Sequence, residues 1–175
     1  MRNAVAAICA LSIPLSGCTS LSSISDPKLA TAVLRSANGA PAGTALVAAS
    51  GNEVTITVAA IGLPQGAHGL HLHMVGSCEA PTFASAGGHL NPHAMQHGTA
   101  NPAGSHLGDL PNLVVDSYGA GTITAELRDG RTSAEAALFD GDGTAIVIHA
   151  DPDDLKTDPS GNSGTRLACG VLKRG

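Results

Sequence analysis

The stretch "EVTITV", Glu53 to Val58, places Val54, Ile56 and Val58 two residues apart with Thr55 and Thr57 between them. Successive side chains of an extended chain point to opposite faces, so this alternation describes a β-strand with one face buried and the other wet. Similar short apolar runs lie on either side of it. "LATAVL" and "GTALVAA" precede it, and "HGLHLHM", "NLVV", "GTITAEL", "AALF", "TAIVIHA" and "TRLACGVL" follow, with Gly, Pro, Asn or Asp between them. None is helix-length. Eight or nine such runs, with turns supplied by 22 glycines and 10 prolines, predict an all-β domain, an antiparallel sandwich or flattened barrel.

The chain has 175 residues, 43% of them apolar and 13% charged, which bounds it to one globular domain with a well-buried core. Nine basic residues stand against 14 acidic ones without any Lys/Arg run, which excludes a phosphate-backbone partner such as nucleic acid. The opening "MRNAVAAICALSIPLSGC" carries one early positive charge at Arg2, an apolar run too short to span a bilayer, and small residues before Cys18. Residues 1–17 read as a secretion signal. Its end, "LSGC", resembles a bacterial lipobox, which implies lipidation of Cys18, a periplasmic location and attachment to a membrane; an ordinary signal peptide is the alternative. Residues 18–28 then form a Ser-rich tether and residues 29–175 the domain. Cys9 leaves with the signal and Cys18 carries lipid, so Cys78 and Cys169 remain in an oxidising compartment and are expected to bond to each other rather than stay as free thiols.

Seven of the eight histidines fall between His68 and His106. On a strand, His71 and His73 project from one face, with Leu70, Leu72 and Met74 on the other. The regular spacing of strands breaks between Ser77 and Pro111, where a long loop holds His89, His97, His106 and Asp109, three imidazoles and a carboxylate suited to a tetrahedral ion such as zinc. The loop lacks bulky apolar residues, so a metal is expected to staple it. His149 ends the run "TAIVIHA". A second irregular stretch, "ADPDDLKTDPSGNSG", precedes the last strand.

The motifs "GLHLH", "GGHLNP", "HLGDLPN", "VIHADPDD" and "GNSGTRLACGV" occur in the order of the bacterial secreted copper, zinc superoxide dismutases, and the resemblance covers Leu29 to Leu172. It implies an eight-stranded antiparallel Greek-key barrel of immunoglobulin-like architecture, with copper and zinc as cofactors and superoxide as substrate. By position it assigns copper to His71, His73, His89 and His149, and zinc to His89, His97, His106 and Asp109, so that His89 bridges the metals and carries a proton. It makes Arg166 the anion-binding cation beside copper, and Asp153 the acceptor for one ligand of each metal. It agrees with the pairing of Cys78 and Cys169. His68 is expected to bond backbone, and His93 to be a surface residue. The net charge repels an anion, so attraction depends on Arg166, the metals and Lys156. Two rivals are a non-catalytic periplasmic copper/zinc-binding protein, which is expected to lack Arg166 or a copper ligand, and a zinc hydrolase, which needs a glutamate base. With few aromatic anchors, the chain reads as a monomer more readily than a homodimer.

Overall fold

The computed structural model describes residues 27–175. The signal, Cys18 and nearly all of the tether lie outside the described residues. Nine strands form the fold: β1 Lys28–Ser36, β2 Pro41–Ser50, β3 Glu53–Ala60, β4 Gly66–His73, β5 Asp109–Val115, β6 Gly121–Glu126, β7 Ala145–His149, β8 Arg166–Val171 and the two-residue β9 Lys173–Arg174. Eight follow one antiparallel path, β5-β4-β7-β8-β1-β2-β3-β6, and β9 adds to β1 beyond β8. The two ends of the path, β5 and β6, are consecutive in the chain. A tight turn joins them, with Asp116 N–H donating to Ala120 O at 2.8 Å, so the sheet curls into a nearly closed barrel. Lys28, expected in the tether, already pairs with Ala48.

The reading of "EVTITV" holds residue by residue. Val54, Ile56 and Val58 are buried, and Thr55 and Thr57 are half-exposed. Thr57 pairs with Thr124 across the β3–β6 edge, their hydroxyls 2.8 Å apart. The buried faces of β1, β2, β3 and β6 meet Leu70, Leu72, Leu113, Ile146 and Ile148 in a single aliphatic core.

Two expectations are corrected. The run "AALF" is not a strand: it closes helix α1, Arg131–Leu138, with Phe139 as its C-terminal cap. Four apolar residues do not distinguish a strand from a helix, and the Ala-rich segment "RTSAEAAL" favours the helix, burying Ala134 and Leu138 on one face. The loop between β4 and β5, expected to lack apolar anchors, buries Phe83, Leu90 and Leu107 to within 5% exposure. Phe83 and Ala86 join Ala145, Val147 and Cys169 in a second small cluster, against which Cys78 packs.

The Cys78–Cys169 disulfide is formed and closes a loop of 91 residues. It ties the start of the β4–β5 loop to β8, where Cys169 pairs with Val147 on one side and Arg35 on the other. Closing a loop of that length restricts the unfolded chain by about 4–5 kcal/mol. Replacing Cys78 by Ser is expected to lower the Tm of the metal-free protein by about 5–15 °C in thermal denaturation without reductant; an unchanged Tm contradicts this.

Candidate metal centre

Strand β4 is buried on both faces. Leu70 and Leu72 turn into the barrel, while His71 and His73 point outward beneath the two irregular loops, at 0% and 1% exposure. Met74, expected on the Leu70 face, lies past the strand end and is 48% exposed. β7 lies beside β4, with Leu70 opposite Ile148, and this brings His149 to the same outer surface. The loop returns His89 to the end of β4, where it bridges to His73.

His71, His73, His89 and His149 form one group whose nitrogens lie within 4.8 Å of one another. In each of them a single buried ring nitrogen has no hydrogen-bond partner: Nδ1 of His71 and Nε2 of the other three. The remaining nitrogens explain which lone pairs are free. His71 Nε2–H donates to Asp153 Oδ2 at 2.9 Å, His73 Nδ1–H to Gly87 O at 2.9 Å and His149 Nδ1–H to Gly164 O at 3.4 Å. Each donation fixes the neutral tautomer and leaves the opposite nitrogen as a bare donor pair. Burial depresses the basicity of three of the rings, to about 2 for His73, about 3 for His149 and about 4 for His89, so at neutral pH those three carry no proton that a metal must displace.

His89, His97, His106 and Asp109 form a second group. Nδ1 of His89, His97 and His106 lie 2.9, 3.0 and 3.1 Å from the one oxygen Oδ1 of Asp109, and Nδ1 of His89 and His106 are 3.4 Å apart. Ligand atoms about 2.0–2.1 Å from a tetrahedral zinc lie about 3.3 Å from one another, so these four atoms fit that ion. The other oxygen of Asp109 accepts the backbone N–H groups of Gly98 and His106 at 2.9 and 3.0 Å. Burial pushes the Asp109 carboxyl up, but the His89 bond, the Gly98 N–H and the neighbouring imidazoles outweigh it and hold the group well below the usual carboxylate range. His89 belongs to both groups: Nε2 faces the first and Nδ1 the second, which leaves it no nitrogen for any other partner.

Asp153 links the groups. Its Oδ2 accepts from His71 Nε2–H and its Oδ1 from His97 Nε2–H at 3.0 Å. The set His71, His97 and Asp153 is thus a hydrogen-bonded bridge rather than a third metal site, because both histidines spend their other nitrogen in the two groups above. Two residues that sequence reasoning missed hold Asp153. The Asn112 side chain accepts from Asp153 N–H at 2.8 Å and donates to Asp153 O at 2.9 Å. Gly161, at φ +63°, packs so closely that a Cβ there would lie 1.8 Å from Asp153 Oδ1. Neither contact leaves a periodic or spacing signal.

Arg166 opens β8 and lines one cleft together with His73, His89, His106 and His149. Its guanidinium donates through Nη1 to Phe83 O at 2.5 Å and through Nη2 to Gly87 O at 2.6 Å, so the disulfide-tied loop aims it. Among the described residues it is the only Lys or Arg lining that cleft; Lys156 is exposed outside it, and no glutamate lines it. His68 bonds backbone as expected, its nitrogens 2.8 Å from His149 O and Pro64 O. His93 is on the surface and pairs with Asp129 at 2.8 Å.

A family model described as copper/zinc superoxide dismutase matches residues 42–172. The Cu-Zn superoxide dismutase 2 of Aquifex aeolicus is 41% identical over 157 residues, covering 86% of this chain and 90% of that protein. The Cu-Zn superoxide dismutase of Caulobacter vibrioides is 41% identical over 150 residues, covering 82% and 85%. The crystal structure of a double mutant of a SOD-like protein from Bacillus subtilis aligns with a TM-score of 0.77 at 39% identity, covering 81% of this chain and 95% of that one. With its barrel, its two histidine groups and these likenesses, the chain belongs to the copper/zinc superoxide dismutase family.

Proposed function

We propose that His71, His73, His89 and His149 hold copper, that His89, His97, His106 and Asp109 hold zinc, and that Arg166 anchors superoxide at the cleft floor. The chain is a superoxide dismutase: two superoxide anions and two protons give one dioxygen and one hydrogen peroxide. The observation that carries the residue assignment is the cleft itself, in which the unpartnered Nε2 atoms of three buried histidines and one guanidinium face the same space.

The donor sets divide the metals. Four imidazoles without a carboxylate suit copper in both oxidation states, whereas a mixed nitrogen and oxygen shell suits zinc. Bound copper supplies a one-electron couple, and zinc a redox-silent charge. Arg166 spends two N–H groups on Phe83 O and Gly87 O and keeps the rest of its five for the anion. His89 is the one ligand that faces both metals, and its Nε2 is the atom in the cleft placed to hold a proton and pass it to the leaving peroxide. Asp153, with Asn112 behind it, orients His71 and His97 together. The non-catalytic alternative is not favoured, since Arg166 and every copper-side histidine are present.

Reversing the charge at Arg166 separates substrate attraction from metal binding. Even at the dielectric of bulk water, turning a positive into a negative charge about 5 Å from an anion costs about 1.7 kcal/mol, more than a factor of ten. Arg166→Glu is therefore expected to cut the second-order rate constant for superoxide at least about tenfold with both metals loaded and the Cu(II) spectrum nearly intact. A rate within about twofold of wild type contradicts the role.

The protein is also proposed to be a periplasmic lipoprotein, anchored through Cys18. The "LSGC" sequence and the oxidised Cys78–Cys169 pair, which belongs to an oxidising compartment, support this. Cys18→Ser is expected to move the protein from the membrane to the soluble fraction in cell fractionation. Mass spectrometry finding an unmodified Cys18 within the mature chain overturns the anchor.

A further inference from the structure

Met74 follows the last residue of β4 and turns outward, 48% exposed, while its neighbour His73 is 1% exposed. Its N–H donates to Gly88 O at 2.9 Å. Its sulfur packs over Gly87 and Gly88, where added Cβ atoms would lie 3.7 and 3.9 Å from Sδ. Those glycines immediately precede His89, and Gly87 O is the acceptor shared by His73 Nδ1 and Arg166 Nη2. Met74 thus lines the rim of the same cleft as His73, His89 and His149.

The exposed half of the side chain leaves the thioether open to solvent at the cleft, while its other half rests on the Gly87–Gly88 backbone. Its chemistry is distinctive: a thioether is a soft, neutral donor that selects Cu(I) over zinc and over harder ions. The second observation is directly beside it. Nε2 of His73 is buried and without a partner, and His73 lines the same cleft as Met74, so the cleft that exposes the thioether also leads to a free imidazole nitrogen.

We propose that the Met74 thioether is an entry ligand for Cu(I), capturing the ion at the cleft mouth and passing it to His73 and the other three histidines. The inference rests on reading that cluster as the copper site. The transfer is a ligand exchange without electron transfer: the sulfur–Cu(I) bond breaks as the Nε2–Cu(I) bond forms, and the external donor leaves with its own electron pair. Zinc gains nothing from a thioether and reaches its ligands without it.

The test mixes the full chain, loaded with zinc and free of copper, with Cu(I) supplied as its bicinchoninate chelate without oxygen. Stopped flow follows loss of the chelate's visible absorbance, and elemental analysis gives the copper bound at the end. Met74→Leu is expected to slow the transfer about fivefold or more, with the final copper content matching wild type. Uptake of Cu(II), and of zinc by the metal-free chain, should keep the wild-type rates. Equal Cu(I) rates in the two proteins overturn the proposal. So does equal slowing of Cu(I) and Cu(II), which marks altered packing at the rim. If wild type ends without bound copper, or His73→Ala ends with as much, the four-histidine reading itself fails and takes the proposal with it, a result distinct from an unchanged rate.

Discussion

A single buried carboxylate, that of Asp153, holds an imidazole from β4 with one oxygen and an imidazole from the long loop with the other. His71, His73, His97 and Asp153 are each no more than 3% exposed, and an unpartnered polar group in such a place costs about 1–3 kcal/mol. Asp153 satisfies one nitrogen of each of two rings at once and, by accepting their Nε2–H bonds, fixes which nitrogen each offers outward. Asn112 clamps its backbone on both sides, and Gly161 leaves the space that its oxygen occupies.

The two donor groups draw on different kinds of structure. His71, His73 and His149 stand on β4 and β7, neighbours in the barrel wall, whereas His89, His97 and His106 ride on irregular chain. The loop still has anchors: Phe83 and Ala86 pack against the disulfide, and Leu90 and Leu107 reach the main core. The same anchoring sets Arg166, because the carbonyls that receive its guanidinium belong to Phe83 and Gly87. The disulfide, the small apolar cluster and the cationic end of the cleft are therefore joined through the same stretch of loop.

Much of this was legible in the sequence because it rests on period and chemical type. Alternation in "EVTITV" identified the strand and its buried face, and the crowding of imidazoles between His68 and His106 identified a metal centre. The order of the motifs named the residues that the fold gathers into two groups. What escaped depends on backbone geometry. Asn112 acts through main-chain atoms of a residue 41 positions away, and Gly161 acts by the absence of a side chain. The helix ending in "AALF" was hidden because a four-residue apolar run has no period of its own. The buried face of the loop was missed because Phe83, Leu90 and Leu107 are scattered singly among polar residues, so no local pattern marks them as a core.

The central claim is that His89 stands between two different metals, with Nε2 turned to one and Nδ1 to the other. Anomalous diffraction from crystals of the loaded protein, collected on either side of the copper and zinc absorption edges, tests it most directly. The account predicts a copper peak enclosed by His71, His73, His89 and His149, and a zinc peak enclosed by His89, His97, His106 and Asp109, with the imidazole of His89 between them. A single peak, the same metal at both positions, or a His89 ring in contact with only one of them in the oxidised protein would contradict it.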